Sequence, residues 1–351
     1  MLPEELYMLR CLELAKKGKG KVEPNPMVGA LLVHNNKIIG EGYHEAYGKP
    51  HAEVNAIADA IANEHEHLLS ECILYVTLEP CSHQGKTPPC ADLIIEKKIP
   101  VVVIGCMDPN PAVNGKGIKK MTEAGISVSL IENDHLKKLA QSLIRPFILP
   151  FLFHRPYVIL KWAETADGYI GSGTEERLLI SNEFSNRLVH KWRSEETAIL
   201  IGKNTALIDD PSLTNRLWPG KSPMRMVIDL ELELPHTLKL FDGSAYVTVF
   251  NYHKMERIGM SGAYCELERD KPVLKQILSF MNQLKMTSLL VEGGGKLLQS
   301  FLDENLWDEV RVIRNNKSAG YGLRAPLLKN AKLVNQLNCL GDRILFYRNS
   351  G

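Results

Sequence analysis

Two stretches of the chain carry the residues that decide its fold: residues 51–54 read His-Ala-Glu-Val, and residues 79–90 read Glu-Pro-Cys-Ser-His-Gln-Gly-Lys-Thr-Pro-Pro-Cys. The side chains of His51, Cys81 and Cys90 offer one imidazole and two thiolates. This donor set suits zinc and leaves a fourth coordination position open for water. We therefore predict one zinc ion per chain at these three residues.

Glu53 lies two residues after His51, near the start of the same predicted helix. A carboxylate there can accept a proton from water and deliver it to a leaving group. Zinc nucleobase deaminases combine an H-x-E motif with a P-C-x-x-C motif. The first half matches, but eight residues separate Cys81 from Cys90. The alternative is a structural zinc site or a set of reduced buried cysteines, which would not require Glu53.

The bulk composition limits the classes of function. A length of 351 residues indicates about two domains. With 42 basic and 41 acidic side chains, the net charge of +1 provides no global attraction to nucleic acid or to an anionic membrane. No segment approaches the roughly 18 apolar residues of a membrane span. The seven cysteines, an odd number, do not indicate a disulfide framework, so we expect a cytoplasmic protein.

The first 130 residues alternate strand-like and helix-like patterns, which predicts a layered α/β domain. An Asn35-Asn36 turn is expected to join its first two strands. The predicted strands are Val28–His34, Lys37–Tyr43, Cys72–Leu78, Val101–Cys106 and Ser127–Ile131, and the predicted helices are His51–Asn63, Pro89–Lys98 and Ile118–Ala124.

Prolines at 146, 150 and 156 predict a break in regular structure between two domains, which we place at 1–147 and 148–351. A second α/β pattern follows. Its predicted strands are Tyr157–Ala163, Ala198–Gly202, Arg225–Leu230 and Ser288–Val291, and its predicted helices are Asn182–Ser194, Pro272–Lys285 and Lys296–Glu304.

Glycines at 293–295 stand between the predicted strand Ser288–Val291 and the helix after it. A strand, a glycine turn and a helix N-terminus together form an anion site, because backbone N–H groups face the ligand at close range. The turn lacks the G-x-G-x-x-G spacing of a Rossmann fold. This pattern alone is a weak indication of a phosphate site.

The N-terminal motifs closely resemble those of the bifunctional deaminase–reductases of riboflavin biosynthesis. The long insert between the two cysteines, which begins Ser-His, is that family's form of the deaminase motif. The matching stretches are Pro24-Asn25-Pro26-Met27-Val28-Gly29, Gly42-Tyr43-His44, His51-Ala52-Glu53-Val54, Thr77-Leu78-Glu79-Pro80-Cys81-Ser82-His83, Gly85-Lys86-Thr87-Pro88-Pro89-Cys90, Asp108-Pro109-Asn110-Pro111 and Gly115-Lys116-Gly117.

This resemblance implies a cytidine-deaminase-like three-layer α/β domain. The domain would remove the 2-amino group of a diamino-ribosylaminopyrimidinone 5′-phosphate as ammonia. The residues implied to contact that substrate are Asn25, His44, Lys86, Asp108 and Asn110.

The C-terminal half resembles the reductase domain of the same family. The resemblance implies a dihydrofolate-reductase-like α/β fold that binds NADPH and passes hydride to the ribosyl carbon. The matching stretches are Lys161 with Thr165-Ala166-Asp167-Gly168, Ala198-Ile199-Leu200-Ile201-Gly202 with Thr205, Asp209-Asp210-Pro211-Ser212-Leu213-Thr214 and Val291-Glu292-Gly293-Gly294.

The reductase resemblance also implies three groups of site residues. The cofactor would be lined by Gly202, Thr205, Gly293 and Gly294. The residues implied for catalysis are Lys161, Asp210 and Glu292. The substrate would be bound by Arg193, Leu213 and Arg216, with the two arginines on its phosphate, because a guanidinium can make two bonds to phosphate oxygens.

Two stretches depart from the reductase pattern. Leu178-Leu179-Ile180-Ser181 stands where many members have a tryptophan before the Ile-Ser pair, and Arg314-Asn315-Asn316 stands where an Ala-Pro dipeptide is common. These departures leave open whether reductase activity is impaired.

Two alternatives follow from these observations. One is a nucleic-acid or nucleoside zinc deaminase, which the balanced charge and the 7% aromatic content do not favour. The other is a catalytically silent C-terminal domain kept for binding. We expect a small phosphorylated ribosylaminopyrimidine as the partner, no nucleic acid and no membrane, and the family resemblance implies a homo-oligomer.

Overall fold

The structure is a computed structural model that describes residues 2–82, 88–110, 113–173, 178–255 and 262–351. The predicted substrate residue Lys86 lies outside the described residues. The chain divides into two units, Met1–Phe153 and His154–Gly351.

The first unit contains a five-stranded sheet in the order β2-β1-β3-β4-β5. Strand β1 is antiparallel to β2 and β3, whereas β3, β4 and β5 are parallel. The strands are β1 Gly29–His34, β2 Lys37–Tyr43, β3 Ile73–Val76, β4 Val101–Ile104 and β5 Ser127–Leu130.

Side chains that alternate along the strands produce two hydrophobic cores, one on each face of this sheet. Leu32 belongs to a core with residues of α2, α3 and α4, and its neighbour Leu31 belongs to a core with residues of α1 and α5. This confirms the predicted three-layer α/β domain. The helices are α1 Pro3–Lys16, α2 Ala52–Ala62, α3 Cys90–Glu96, α4 Lys116–Glu123 and α5 Asp134–Phe153, with a short 3-10 helix at Glu66–Glu71.

Asn35 and Asn36 form the two-residue connection between β1 and β2. Their φ angles are 46° and 61°. Positive φ at both central residues is typical of a type I′ hairpin turn, whose twist matches that of the flanking strands. The predicted hairpin is confirmed.

Helix α5 continues through Pro146 and Pro150, so the prediction that these prolines end regular structure is wrong. The helix buries Leu136, Ala140 and Ile144 in the core. This packing compensates for the backbone hydrogen bonds that the prolines cannot make. The predicted boundary between residues 147 and 148 falls inside α5, and the chain divides after Phe153.

The second unit contains a nine-stranded sheet in the order β11-β10-β9-β8-β12-β6-β13-β16-β15, with a separate β7–β14 pair. All of the nine-stranded sheet is parallel except the pairs that involve β16, which are antiparallel. The strands are β6 Tyr157–Glu164, β7 Tyr169–Gly171, β8 Ala198–Gly202, β9 Met224–Ile228, β10 Val247–Asn251, β11 Gly262–Glu266, β12 Ser288–Val291, β13 Glu309–Arg314, β14 Leu323–Arg324, β15 Ala331–Cys339 and β16 Asp342–Asn349.

Of the four α-helices described in the second unit, the first follows β7 and the other three each follow a strand of the parallel part of the sheet. The predicted strands and helices of this half are present, with ends that agree within two residues. The strands β7, β10, β11, β13, β14, β15 and β16 and the helix Lys203–Asp209 were not predicted. The helices are α6 Glu183–Glu195, α7 Lys203–Asp209, α8 Val273–Gln283 and α9 Gly295–Asp303, with a 3-10 turn at Lys239–Phe241. Within the described residues, no helix is both long and apolar enough to cross a membrane.

Candidate active sites

The three predicted zinc ligands come together in the first unit. His51 precedes α2, Cys90 begins α3, and Cys81 lies in the segment between β3 and α3. The Nδ1 atom of His51 lies 3.6 Å from Cys81 Sγ and 3.3 Å from Cys90 Sγ. One donor atom from each residue lies within 4.8 Å of the others. A nitrogen and two sulfurs at such distances fit a zinc ion with one position left for water.

The pKa values of the two thiols in this cluster are shifted in opposite directions. A hydrogen bond from Cys90 lowers the pKa of Cys81, against the opposing effect of burial. The same contact, together with burial, raises the pKa of Cys90. Negative charge therefore collects on Cys81, and a cation is needed before both sulfurs can be thiolates, the state that binds zinc.

Glu53 lies beside this cluster in the first turn of α2 and is 3% exposed. Burial, followed by the negative charge of Cys81, raises the pKa of Glu53 to about 7. A carboxyl group with a pKa near the working pH can both accept and donate a proton, as general acid–base catalysis requires.

His44 and Asn25 form a hydrogen-bonded pair next to the metal ligands. His44 Nδ1 lies 3.0 Å from the Pro50 carbonyl oxygen, which can only accept, so Nδ1 carries the proton. His44 Nε2 then accepts from Asn25 Nδ2 at 3.1 Å. Burial lowers the pKa of His44, so the ring stays neutral. The pair presents oriented polar groups without adding charge.

A cavity of about 360 Å³ contains this site. Four predicted residues, Asn25, His44, Asp108 and Asn110, line it together with the metal cluster. Sequence reasoning assigned no site role to the other described residues that line it, among them five with charged or aromatic side chains. These residues are Tyr47, Lys49, Glu79, Phe147 and Phe151.

In the second unit, two glycine loops lie side by side because β8 and β12 are parallel neighbours. The Gly202 N–H donates to the Gly293 carbonyl oxygen at 3.0 Å, and the Gly293–Gly294 peptide is cis. A Cβ atom on Gly294 would lie 3.0 Å from Thr205 Oγ1. All four predicted cofactor residues line one cavity of about 850 Å³, into which α7 and α9 direct their N-termini.

A buried ion network lies at the end of β12. Glu292 accepts from Arg193 Nε at 2.9 Å and from Arg193 Nη2 at 2.8 Å, and Lys161 Nζ lies 3.6 Å from Glu292 Oε2. Burial raises the pKa of Glu292, but the charges of Arg193 and Lys161 outweigh it and lower the pKa to about 2. Lys161 and Glu292 line the large cavity, as predicted for residues that face the substrate.

Four of the predicted reductase residues are not among the described residues that line the large cavity: Arg193, which pairs with Glu292, and Asp210, Leu213 and Arg216. Asp210 accepts from the Lys239 backbone N–H at 2.7 Å, and Leu213 is buried with a φ of 54°. Arg216 is exposed and donates through Nη1 to Thr214 Oγ1 at 3.0 Å. The structure brings Lys161, Glu292 and the four cofactor residues together, and places Asp210, Leu213 and Arg216 in the loop after α7.

The two departures from the family pattern are connected. Leu179 lines the large cavity and is 77% exposed. Asn315 donates through Nδ2 to the Ile180 carbonyl oxygen at 3.1 Å. Asn315 therefore forms a hydrogen bond to the segment of the cavity lining that contains Leu179.

Comparison with known proteins identifies both halves. The model described as the cytidine and deoxycytidylate deaminase zinc-binding region matches residues 1–106, and the RibD C-terminal domain matches residues 156–340. The riboflavin biosynthesis protein RibD of Aquifex aeolicus is 40% identical over 322 residues, which cover 90% of this chain and 88% of that protein. That of Bacillus amyloliquefaciens is 39% identical, covering 88% of this chain and 83% of its own length.

A solved structure from Thermotoga maritima shares the whole architecture. It is described as a diaminohydroxyphosphoribosylaminopyrimidine deaminase/5-amino-6-(5-phosphoribosylamino)uracil reductase and has a TM-score of 0.87 at 36% identity, covering 99% of both chains. RibD of Acinetobacter baumannii also has a TM-score of 0.87, at 30% identity and 99% coverage of both chains.

The fold and the two sites define a two-domain enzyme of small molecules, in which a zinc-binding deaminase domain precedes a reductase domain of the NADPH-binding, dihydrofolate-reductase-like kind. The chain belongs to the RibD family of bifunctional deaminase–reductases of riboflavin biosynthesis. This membership does not favour the nucleic-acid deaminase or the silent second domain.

Proposed function

We propose that the first unit hydrolyses the 2-amino group of 2,5-diamino-6-(5-phosphoribosylamino)pyrimidin-4(3H)-one. The second unit then reduces 5-amino-6-(5-phosphoribosylamino)uracil to the ribitylamino product with NADPH. The observation that carries the proposal is the convergence of His51, Cys81 and Cys90 beside the buried carboxyl group of Glu53. A bound zinc ion would supply a water molecule that is acidic at neutral pH.

Glu53 is the proton carrier in this reaction. It takes a proton from the attacking water and gives it to the departing amino group, which leaves as ammonia. Its pKa near 7, set by burial, suits both transfers. His51, Cys81 and Cys90 hold the metal and do not move protons.

The polar lining of the smaller cavity binds the pyrimidine and its ribosyl phosphate. Asn25 and His44 are held by their mutual hydrogen bond, and Asp108 and Asn110 line the same cavity. Lys86 belongs to the same proposed set and lies outside the described residues.

In the second unit, the two glycine loops would hold NADPH. Gly202, Gly293 and Gly294 would allow close approach of the cofactor phosphates, and the N–H groups that begin α7 and α9 would donate to them. Lys161 and Glu292 orient the substrate for hydride transfer, while the cofactor supplies the redox chemistry. Asp210 stays a prediction as a catalytic residue.

The substrate phosphate of the reductase is bound by Arg216, whose exposed guanidinium can make two bonds to phosphate oxygens. Leu213, in the same loop, is buried. Arg193 is paired with Glu292 through two hydrogen bonds. Its proposed contribution to phosphate binding is therefore indirect: it holds Glu292 in place.

Two assays test the proposal. The purified chain should contain about one zinc per chain, release ammonia from the diaminopyrimidinone, and oxidise NADPH only with the deaminated product. Ammonia release without zinc would contradict the first assignment. NADPH oxidation that does not depend on the deaminated product would contradict the second.

We also propose a homo-oligomer. Strand β15 is the edge of the nine-stranded sheet, is nine residues long and is exposed along nearly its whole length. Leu333, Val334 and Leu337 are each about half exposed there. An exposed edge strand presents unpaired backbone N–H and C=O groups with which another chain can pair. Sedimentation should detect the oligomer, and a monomer would contradict it.

A cytoplasmic location stays a prediction, consistent with seven unpaired cysteines.

A further inference from the structure

Glu79 is a buried acidic residue whose carboxylate accepts hydrogen bonds from four backbone N–H groups. It follows β3, lies two residues before Cys81 and is 4% exposed. Its Oε2 atom accepts from Asp108 at 3.3 Å and from Gly115 at 3.1 Å. Its Oε1 atom accepts from Gly117 at 3.0 Å and from Ile118 at 3.4 Å.

Three of these donors belong to the beginning of α4. Gly115 is the N-cap of that helix and has no side-chain cap of its own. The first N–H groups of a helix lack partners within the helix and carry partial positive charge. The carboxylate of Glu79, from a distant part of the chain, therefore caps α4.

The fourth donor connects the carboxylate to the substrate cavity. The Asp108 N–H donates to Glu79, and the Asp108 Oδ1 atom in turn accepts from the Asn110 N–H at 2.9 Å. Asp108 and Asn110 both line the cavity that contains the metal ligands. Glu79 thus anchors the loop that presents these two residues.

Close backbone packing keeps the beginning of α4, which follows this loop, against the segment that contains Cys81. A Cβ atom on Gly117 would lie 2.1 Å from the Pro80 carbonyl oxygen and 3.3 Å from Glu79 Oε1. Only glycine allows this approach without a shift. Pro80 lies between Glu79 and the metal ligand Cys81. The contact of Gly117 with Pro80 therefore fixes the distance between the beginning of α4 and the segment that contains Cys81.

We propose that Glu79 is a positioning residue of the deaminase: it fixes the positions of Asp108 and Asn110 relative to Cys81, and therefore relative to the metal. This inference rests on the proposed function, in which Asp108 and Asn110 bind the substrate. The side chain of Glu79 lines the cavity, but both of its carboxylate oxygens accept from backbone N–H groups. It acts through the backbone of the loop.

The test is Glu79→Gln in the full chain. Glutamine keeps the size but turns one acceptor oxygen into an N–H donor, so one pair of backbone N–H groups loses its acceptor. We expect the deaminase KM to rise roughly tenfold or more, as for loss of hydrogen bonds to a charged group, with a smaller fall in kcat. Zinc content and reductase activity should not change.

Glu41→Gln is the matched control. Glu41 is also a carboxylate of the first unit in charge-assisted hydrogen bonds, here to Arg10, but it does not line the cavity. Its substitution should leave the deaminase KM unchanged. If Glu79→Gln lowers kcat and zinc content while KM stays constant, Glu79 only supports the fold and the proposal is overturned.

Asp108→Ala separates failure of the inference from failure of the proposed function. If Asp108→Ala leaves KM unchanged, Asp108 does not bind the substrate, and the proposed function is wrong at this residue. If Asp108→Ala raises KM but Glu79→Gln does not, the proposed function stands and the positioning role is wrong.

Gly117→Ala provides an independent route to the same displacement, because its methyl group pushes the beginning of α4, and with it the preceding loop, away from Pro80. We expect a higher KM with zinc retained. In the Glu79→Gln, Gly117→Ala double variant the two effects should be less than additive, since both move one loop. Full additivity would overturn the shared mechanism.

Discussion

The two active sites of this chain are built in different ways. The deaminase cavity of about 360 Å³ is defined by side chains: a histidine, two cysteines and a buried glutamate. The reductase cavity of about 850 Å³ depends largely on backbone, with glycine loops after β8 and β12 and the helices that follow them. A metal site needs particular donor atoms, whereas a phosphate cradle needs N–H groups that nearly every residue has.

This difference has a consequence for mutation. A change of a few atoms at Glu53 should abolish chemistry without moving the fold. In the reductase, Glu292 is both part of the site and part of a buried ion network, so function and stability are coupled there. The following predictions test this contrast.

Glu53→Gln should separate the two activities completely. Glutamine keeps the size of the side chain but cannot accept the proton, so deamination should fall at least about 10²-fold. Zinc should remain, because His51, Cys81 and Cys90 are intact. Reduction of already deaminated substrate should be nearly unchanged. Ammonia release, metal analysis and NADPH absorbance measure the three quantities.

Glu64→Gln is the control for Glu53→Gln, because Glu64 is exposed and lies just beyond α2. It should leave ammonia release, zinc content and NADPH oxidation unchanged. Loss of zinc in Glu53→Gln would instead make Glu53 a ligand. Loss of both activities would show that the two sites are not chemically independent.

Glu292→Gln should damage both stability and reduction. It leaves the buried guanidinium of Arg193 without its charge partner, which costs about 3 kcal/mol or more of the free energy of unfolding. Denaturant unfolding of the full chain, followed by NADPH oxidation, would measure both losses. A variant that loses activity but unfolds like the native protein would show that the network is purely catalytic.

The same pair predicts a pH dependence. The pKa of Glu292 is lowered from its usual 4.5 to about 2 in the folded chain, so its stabilising contribution is complete above about pH 4.5 and is lost as the pH falls towards 2. This acid-sensitive component should be absent from Glu292→Gln. An identical acid response in both proteins would contradict the assignment.

Arg216→Ala should raise the reductase KM by about tenfold and lower kcat less, since a phosphate far from the reacting carbon is bound equally in the ground and transition states. Steady-state kinetics with the phosphorylated substrate measures this. Arg187→Ala, an exposed arginine paired with Glu183 on α6, is the control. An unchanged KM in Arg216→Ala would place the phosphate elsewhere.

Gly202→Ala should have the smallest effect and is the most specific test of the cofactor loop. A Cβ atom at Gly202 meets only Leu297, at 3.9 Å, and no positive φ requires glycine there. The free energy of unfolding should therefore change by less than about 0.5 kcal/mol. The added methyl group lies where the cofactor approaches, so we expect the KM for NADPH to rise a few-fold. A normal KM would argue that NADPH lies elsewhere in the cavity.

What the sequence determined by itself is the chemistry. Residue types and their order identified His51, Cys81 and Cys90 as a metal set and Glu53 as its proton carrier, because zinc and proton transfer each require particular functional groups. Periodicity and turn residues placed most strands and helices, including the turn at Asn35-Asn36. The glycine loop at Gly293 was visible as a pattern but was too common a feature to decide a function.

What only the tertiary structure decided is which distant groups meet. No local pattern indicates that Glu79 caps α4 across 36 to 39 residues, or that Arg193 pairs with Glu292 across 99 residues. Helix α5 continues through Pro146 because its apolar face is buried in the core beside the sheet. The stabilisation from this burial cannot be read from the helix propensities of the residues around the proline. Such contacts depend on the packing of whole elements, and packing is a property of the folded chain rather than of any one stretch of its sequence.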